Sequence, residues 1–223
     1  MALPVVQSAT NAFAVLQDGR VRTAGYGWGD DSSAVTAQLQ DGVSEIAATP
    51  YAFAAIKTDG SVVAWGHPSL GGDCRSLPLL RRVRCLKSNQ CAFAAIMMDG
   101  SLGAFGHAQW GGTSPVVDVA IQGRIKAIQA TSSAFAAILA NRSIVTWGRP
   151  DFGGDIEYLR HTLYDVVCLS ATSNRFAALR SDKELICWGT VNSCWQIEDV
   201  VSVKSGQRFF LVVHSDGEVS LVP

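Results

Sequence analysis

The stretch Tyr51-Ala52-Phe53-Ala54-Ala55-Ile56-Lys57-Thr58-Asp59-Gly60-Ser61-Val62-Val63-Ala64-Trp65-Gly66 decides the fold. Two apolar runs flank Asp59-Gly60, the strongest short-range signal for a β-hairpin, because its turn needs the positive φ that Gly and Asp tolerate. Upstream, Val43-Ser44-Glu45-Ile46-Ala47-Ala48-Thr49 is a third short run. Its counterparts elsewhere are rich in β-branched residues, which mark a strand. One unit therefore carries at least three strands.

The same text returns along the whole chain, with Phe13, Phe53, Phe93, Phe135, Phe176 and Phe210 as markers. Ala12-Phe13-Ala14-Val15-Leu16 becomes Ala92-Phe93-Ala94-Ala95-Ile96 and Ala134-Phe135-Ala136-Ala137-Ile138, then degrades to Arg175-Phe176-Ala177-Ala178-Leu179 and Phe209-Phe210-Leu211-Val212-Val213. A period of roughly forty residues is the signature of a repeat architecture. The turn recurs as Asp18-Gly19, Asp99-Gly100 and Asp216-Gly217, with Asn141-Arg142 and Asp182-Lys183 as weaker versions in which Asn or Asp takes the left-handed conformation. No segment sustains helical spacing of apolar residues over ten positions. The alanines around each marker Phe allow close approach of neighbouring backbones, as where blades crowd about an axis.

The expected architecture is all-β: a β-propeller of six blades with three to four strands each, the last incomplete. The repeats fall at approximately 3–42, 43–82, 83–124, 125–165, 166–199 and 200–223, within a single domain spanning 1–223. Between units lie glycine-rich joints, Gly71-Gly72-Asp73, Gly111-Gly112-Thr113 and Gly153-Gly154-Asp155, followed by a variable stretch. In the first repeat Ser33 to Leu39 reads as a helical turn; in the third, Pro115 to Ile121 reads as a strand. The chain stops at Leu221-Val222-Pro223, where Trp-Gly would stand, so either the last blade is short or the chain is a piece of a longer array.

Composition narrows the function classes. Hydrophobic residues make up 48% of the 223 and charged residues 17%, enough apolar surface for a well-filled core. Eighteen basic against 19 acidic residues leave a formal net charge of -1 and no run dense enough to track phosphates, so nucleic acid is not an expected partner. No window approaches the ~18 consecutive apolar residues of a spanning helix, and Met1 to Val6 lacks the shape of a secretory signal. The expectation is a soluble intracellular protein, placed in the cytoplasm by default. Cys85, Cys91, Cys168 and Cys187 fall within apolar runs and read as reduced core thiols; Cys74 and Cys194 lie in loop-like text, and no C-x-x-C pair suggests zinc or redox chemistry.

The unit x-Ala-Phe-Ala-Ala-Ile-x-x-Asp-Gly-Ser-Val-Val-x-Trp-Gly, at Tyr51 to Gly66 and in weaker copies along the chain, resembles the repeat of the regulator of chromosome condensation family, in its shorter Phe-Ala-Ala-rich form. The resemblance implies a β-propeller with one blade per repeat. Two departures stand out. Where the family places Gly-His and Gly-Gln-Leu-Gly, this chain has Thr49-Pro50-Tyr51 and Gly71-Gly72-Asp73. The family's best-known members bind chromatin and exchange nucleotide on a small GTPase through residues outside the repeat core, and no segment here maps onto those residues.

No nucleophile and base constellation appears: His67 and His107 share one repeat offset that Arg149 takes next, which reads as a solvated loop end, and His161 and His214 stand alone. No enzyme, cofactor or metal is expected. The reading is a non-catalytic protein–protein interaction scaffold, a subunit or adaptor whose partner meets the loops where repeats differ. The candidates are Asp30, Asp31, Arg81, Arg82, Arg84, Asp151, Tyr158, Arg160 and Trp195; the arginines at 81, 82 and 84 form the only local basic cluster. An alternative is a lectin-like propeller in which Trp28, Trp110 and Phe152, one per joint, stack on sugar faces. Against it, those aromatics plug the gap between blades, and exposure of Trp110 with Thr113 free is the deciding observation. Trp65, Phe105, Trp147 and Trp188 read as packing between blades. Regulation of a small GTPase is a third reading, from the resemblance only.

Overall fold

The computed structural model describes residues 3–75, 82–113, 124–190 and 195–223. Each repeat folds as one small antiparallel sheet whose strand order follows the chain. The first comprises β1 (Val5–Ser8), β2 (Ala12–Gln17) and β3 (Arg20–Gly25); the second β4 (Val43–Ala48), β5 (Ala52–Lys57) and β6 (Val62–Gly66); the third β7 (Val83–Ser88), β8 (Ala92–Met97) and β9 (Leu102–Gly106). The fourth is β10 (Ile125–Ala130), β11 (Ala134–Leu139) and β12 (Ile144–Gly148), and the fifth is β13 (Val166–Ala171), β14 (Phe176–Arg180), β15 (Leu185–Trp188) and β16 (Trp195–Ile197). The sixth, β17 (Val200–Ser205), β18 (Phe210–His214) and β19 (Val219–Val222), has three strands among the described residues, like the first four. The sheets fall into two compact units, Met1–Val117 with three sheets and Asp118–Pro223 with three.

Strand alternation gives every sheet two faces. In the second sheet Phe53 lies opposite Trp65 and Ala55 opposite Val63, and these form a front face with Val43 and Ile46. Ala52, Ala54, Ile56 and Ala64 form the back. Within each unit, packing follows one rule: the front of a sheet lies on the back of the sheet before it. Phe53 and Trp65 pack on Ala12, Ala14 and Leu16; Phe93 and Phe105 on Ala52, Ala54 and Ile56; Phe176 and Trp188 on Ala134, Ala136 and Ile138; Phe210 and Val212 on Ala177, Leu179 and Cys187. Small residues on the back are what let a large aromatic front approach. Each marker Phe so buried contributes about 1.5–3 kcal/mol of transfer free energy.

Val43 and Ile46 share the front although three residues separate them, because a register shift between Val43 and Glu45 inserts an extra residue. The same bulge recurs in β7, β10, β13 and β17, whereas β1 pairs with β2 without one.

The hairpins form where the sequence placed them, but their turn chemistry differs from expectation. Only Asp18 takes the left-handed conformation, at φ 49°, in a two-residue loop with Gly19 that sets Gln17 opposite Arg20. In the other five turns it is the following residue that does so: Gly60, Gly100, Arg142, Lys183 and Gly217, at φ between 64° and 90°. These are three-residue loops in which a left-handed residue closes a turn: Gly60 N–H donates to the Lys57 carbonyl at 2.8 Å and Lys57 N–H to the Ser61 carbonyl at 2.8 Å. The Asp carboxylate is then left to accept from the chain two residues on. Asp59 Oδ1 takes the Ser61 N–H at 2.9 Å and its hydroxyl at 2.7 Å.

The variable segments differ as the sequence suggested. Residues 33–39 form a 3-10 turn (Ser33–Val35) running into a helical turn (Thr36–Leu39) that buries Leu39 in the core between the first two sheets. In the fourth repeat Glu157–Leu159 is a 3-10 turn, with Ile156, Leu159 and Leu163 buried. The strand expected over Pro115 to Ile121 lies outside the described residues.

Candidate interaction site

The joint after each hairpin is built from glycine geometry. Pro68–Leu70, Ala108–Trp110 and Pro150–Phe152 are single 3-10 turns, each ended by a left-handed glycine, Gly71, Gly111 or Gly153. At Gly71 (φ 109°) a Cβ would lie 2.6 Å from the Phe93 ring, so a side chain is excluded both by backbone and by space. The next glycine, Gly72, lies against the Gly66 backbone, where a Cβ would stand 2.5 Å from the carbonyl carbon. The Trp of the following front then closes the joint. Trp65 Nε1 donates to the Gly29 carbonyl at 3.1 Å and Trp188 Nε1 to the Gly153 carbonyl at 3.2 Å.

A polar side chain four residues before the marker Phe fastens each inner joint to the middle strand. Asn89 Oδ1 accepts the N–H groups of Cys91 (3.0 Å) and Ala92 (2.8 Å), while its Nδ2 donates to the Trp110 carbonyl at 2.6 Å. Thr49 accepts Ala52 N–H and donates to the Leu70 carbonyl; Thr131 accepts Ala134 N–H and donates to the Phe152 carbonyl. All three side chains are buried. The sequence reading did not single them out, although the signal was present: a hydrogen-bonding residue recurs at one offset as Thr49, Asn89, Thr131 and Thr172, and lapses to Ala9 and Gly206 at the ends.

The joint aromatics are placed accordingly. Trp110 and Phe152 are half-buried, whereas Trp28, whose repeat has Ala9 at the fastening position, is 56% exposed. Trp110 thus meets neither limit set for the sugar reading, and Thr113 beside it is exposed. Each aromatic has a companion at the shared His/Arg offset. His67 lies 4.4 Å from Trp28 between ring centroids, His107 meets Trp110 edge-on at 6.3 Å, and the Arg149 guanidinium lies 5.2 Å from the Phe152 centroid. The expectation of a solvated loop end needs correction here: these side chains are half-buried against the joint, and Nδ1 of His67 and of His107 is buried without a hydrogen-bond partner among the described residues. The aromatic ring is what draws them in.

Two further aromatics stand at the joint end of the first two sheets. Tyr26 is 83% exposed and Tyr51 38%. Their backbone is fixed: Tyr26 N–H donates to the Asn11 carbonyl (2.8 Å), Thr10 N–H to the Pro50 carbonyl (2.9 Å) and His67 N–H to the Tyr51 carbonyl (2.9 Å). The backbones of Tyr26, Tyr51 and His67 are thus tied down, and the Trp28 ring rests against His67.

The remaining candidates are dispersed. Arg82 and Arg84 lie at the opposite, hairpin-turn end of the unit, in a groove with Glu45, Lys57, Asp59 and Met98; Arg81 lies outside the described residues. Asp30 lends its carbonyl to the Thr23 hydroxyl, and Asp31 Oδ1 accepts Ser33 N–H at 2.9 Å; the Ser33 hydroxyl first, and then this N–H, hold the Asp31 carboxyl below its usual range. Asp151 pairs with Arg149 at 3.3 Å, and Arg160 with Glu157 at 2.8 Å beside the exposed Tyr158. Trp195 carries the Arg175 guanidinium 4.2 Å above its ring. Among the described residues the one deeply buried charge, Arg180, is held by Asp182, Glu184 and Tyr164, so the Asp182-Lys183 turn supplies a counter-ion as well as a bend.

Among the described residues no group of three His, Cys, Asp or Glu side chains is arranged to hold a metal ion, the five described cysteines are free, and no helix is long and apolar enough to cross a membrane. Burial raises the Cys74 and Cys85 thiols above their usual range.

No family model and no curated protein matches the sequence. Solved structures do match in fold. The CRINKLY WD40 ectodomain of the Arabidopsis thaliana receptor kinase ACR4 is 14% identical at a TM-score of 0.55, over 96% of this chain and 80% of that one. Prp20p from Saccharomyces cerevisiae, described with its binding to Gsp1p and histones, is 15% identical at 0.58, over 96% and 70%. Human WBSCR16 is 10% identical at 0.57, over 97% and 76%. The fold is thus an all-β propeller type with one small sheet per blade, six in this chain.

Proposed function

We propose that this chain is a non-catalytic protein–protein interaction scaffold, a subunit or adaptor that meets its partner through the joint end of the first two sheets. The observation that carries this is the exposure of Tyr26, Trp28 and Tyr51, with the Tyr26 N–H and the Tyr51 carbonyl held in backbone hydrogen bonds and the Trp28 ring set against His67. Rigid aromatic side chains give large contact area at low entropic cost, which is why they dominate interface energetics. The Arg82–Arg84 groove, with its mixed charges, is the second candidate contact. The test is quantitative capture from lysate with the intact chain, the Tyr26→Ala/Trp28→Ala variant and the Arg82→Ala/Arg84→Ala variant. We expect a specific partner to be lost about tenfold or more with the aromatic pair; equal recovery with all three chains rejects both sites.

A lectin-like function is the second reading, favoured by the exposed Trp28 face and its neighbouring tyrosines, which suit the apolar face of a sugar. A glycan array separates the two: binding abolished by Trp28→Ala supports the lectin, and an empty array removes it. Membership in the regulator of chromosome condensation family, and with it regulation of a small GTPase, draws on the repeat text and on the fold shared with Prp20p. A nucleotide-exchange assay on a panel of small GTPases with no acceleration ends that reading.

A further inference from the structure

Among the described residues, two sheet faces stand open to solvent. The front of the first sheet, Val6, Phe13 and Val15 with Arg22 and Ala24, is open, with Phe13 52% exposed. So is the back of the last sheet, where Phe209, Leu211, Val213, Val219 and Leu221 form an apolar face with Leu211 opposite Leu221 and Val213 opposite Val219. Leu211 is 41% exposed and Leu221 68%. One face is of the front type and the other of the back type, the two types that join in every sheet-to-sheet contact within the units.

Their departures from the repeat are complementary. At the front position that holds Trp65, Phe105, Trp147 and Trp188 in other repeats, the first sheet has Ala24. At the back positions that hold Ala54 and Ala64 in the second sheet, the last has Leu211 and Leu221. Bulk is missing from one face and added to the other. Charge follows the same pattern. Arg20 and Arg22 stand exposed on β3, where the second sheet has Ser61 and Val63, and Glu218 stands exposed beside Val219. In the contact between the first two sheets, Val63 of the front and Val21 of the back share one cluster. Val219 is the counterpart of Val21, which brings Arg22 of an incoming front toward Glu218.

We propose that the back of the last sheet binds the front of the first sheet of a second copy of this chain, head to tail. The interface continues the sheet-on-sheet contact already built four times within the units. Such a contact is heterologous, so it produces rings or open chains of copies.

Sedimentation velocity across a concentration series tests this, with the variants Phe13→Glu and Leu211→Glu. Both substitutions are at exposed positions, and circular dichroism confirms their fold. We expect the intact chain to associate with rising concentration, and either variant alone to weaken association about 30-fold or more, the effect of losing an interface anchor. Mixing the two variants should restore a discrete dimer, because each retains the face that the other lacks. An intact chain that stays monomeric at all concentrations overturns the proposal. So does association abolished by one variant only and not rescued by mixing, which marks a symmetric contact or a different surface.

Discussion

Phe53 and Phe13 hold the same place in two neighbouring repeats, yet Phe53 is sealed and Phe13 stands half in solvent. The difference is not local. Both lie on a middle strand, both flank an alanine and both precede an Asp-Gly turn. What separates them is the neighbour: Phe53 has the Gly29 joint and the Ala12–Ala14 back beneath it, and among the described residues no sheet is seated on Phe13. A repeat of this kind completes its core only by stacking, so the same sequence motif contributes differently at the end of a stack than within it.

The largest effect should come from testing that pair directly. Phe53→Ala removes a fully buried ring and should destabilise the protein by about 3–5 kcal/mol, whereas Phe13→Ala, measured at a concentration below any self-association, should cost less than about 1 kcal/mol. Urea unfolding of both variants measures the two values. Equal losses would mean that Phe13 is covered in solution, and the contrast between inner and end sheets would fail.

The next effect concerns the fastening residue. Asn89→Ala leaves the N–H groups of Cys91 and Ala92 and the Trp110 carbonyl without their partner, and should cost about 2 kcal/mol. It should also make Trp110 resemble Trp28, whose repeat carries Ala9 at that offset. Acrylamide quenching of tryptophan fluorescence reports this as a gain in accessible indole. Unchanged quenching with lost stability would show that Asn89 serves the strand and not the joint.

How much of this was legible in the sequence follows the same division. Everything enforced within one repeat could be read: hairpins at Asp-Gly, the upstream strand, the helical turn at 33–39. The third strand face was harder, because the bulge that brings Val43 and Ile46 to one side breaks the two-residue period on which the reading depends. The turn geometry was misassigned since Asp-Gly serves both a two-residue and a three-residue loop, and the choice depends on strand register. Thr49 and Asn89 went unnoticed because a family pattern drew attention to what was absent there, Gly-His, and not to the hydrogen bonds that a Thr or Asn could make. The companion role of His67, His107 and Arg149 was hidden by chemistry that looks interchangeable only once an aromatic ring is set beneath it. Of the candidate site, Trp28 was legible as a joint aromatic; Tyr26 and Tyr51 were not, because nothing in the sequence distinguishes an exposed loop tyrosine from a buried one.

The smallest effect separates inner from end strands electrostatically. Glu45 lies in β4 at the offset where the first repeat has the exposed Val5, and burial raises its carboxyl above the usual range, against a smaller opposing pull from Lys87. A carboxyl raised in the folded state favours the fold most when protonated. Its contribution is therefore fully present below the unfolded value near ~4.3 and is lost as pH rises through the folded value. Glu45→Gln removes the charge at every pH, so its melting temperature should exceed that of the intact chain at pH 7 and match it at pH 3. The gain should stay below about 0.5 kcal/mol, because the group is partly solvated and screened. Thermal melts at the two pH values measure it. A gain at both would point to packing by the amide, and a loss at pH 7 would show that Lys87 attraction outweighs burial, placing this inner strand in the same electrostatic class as the open end.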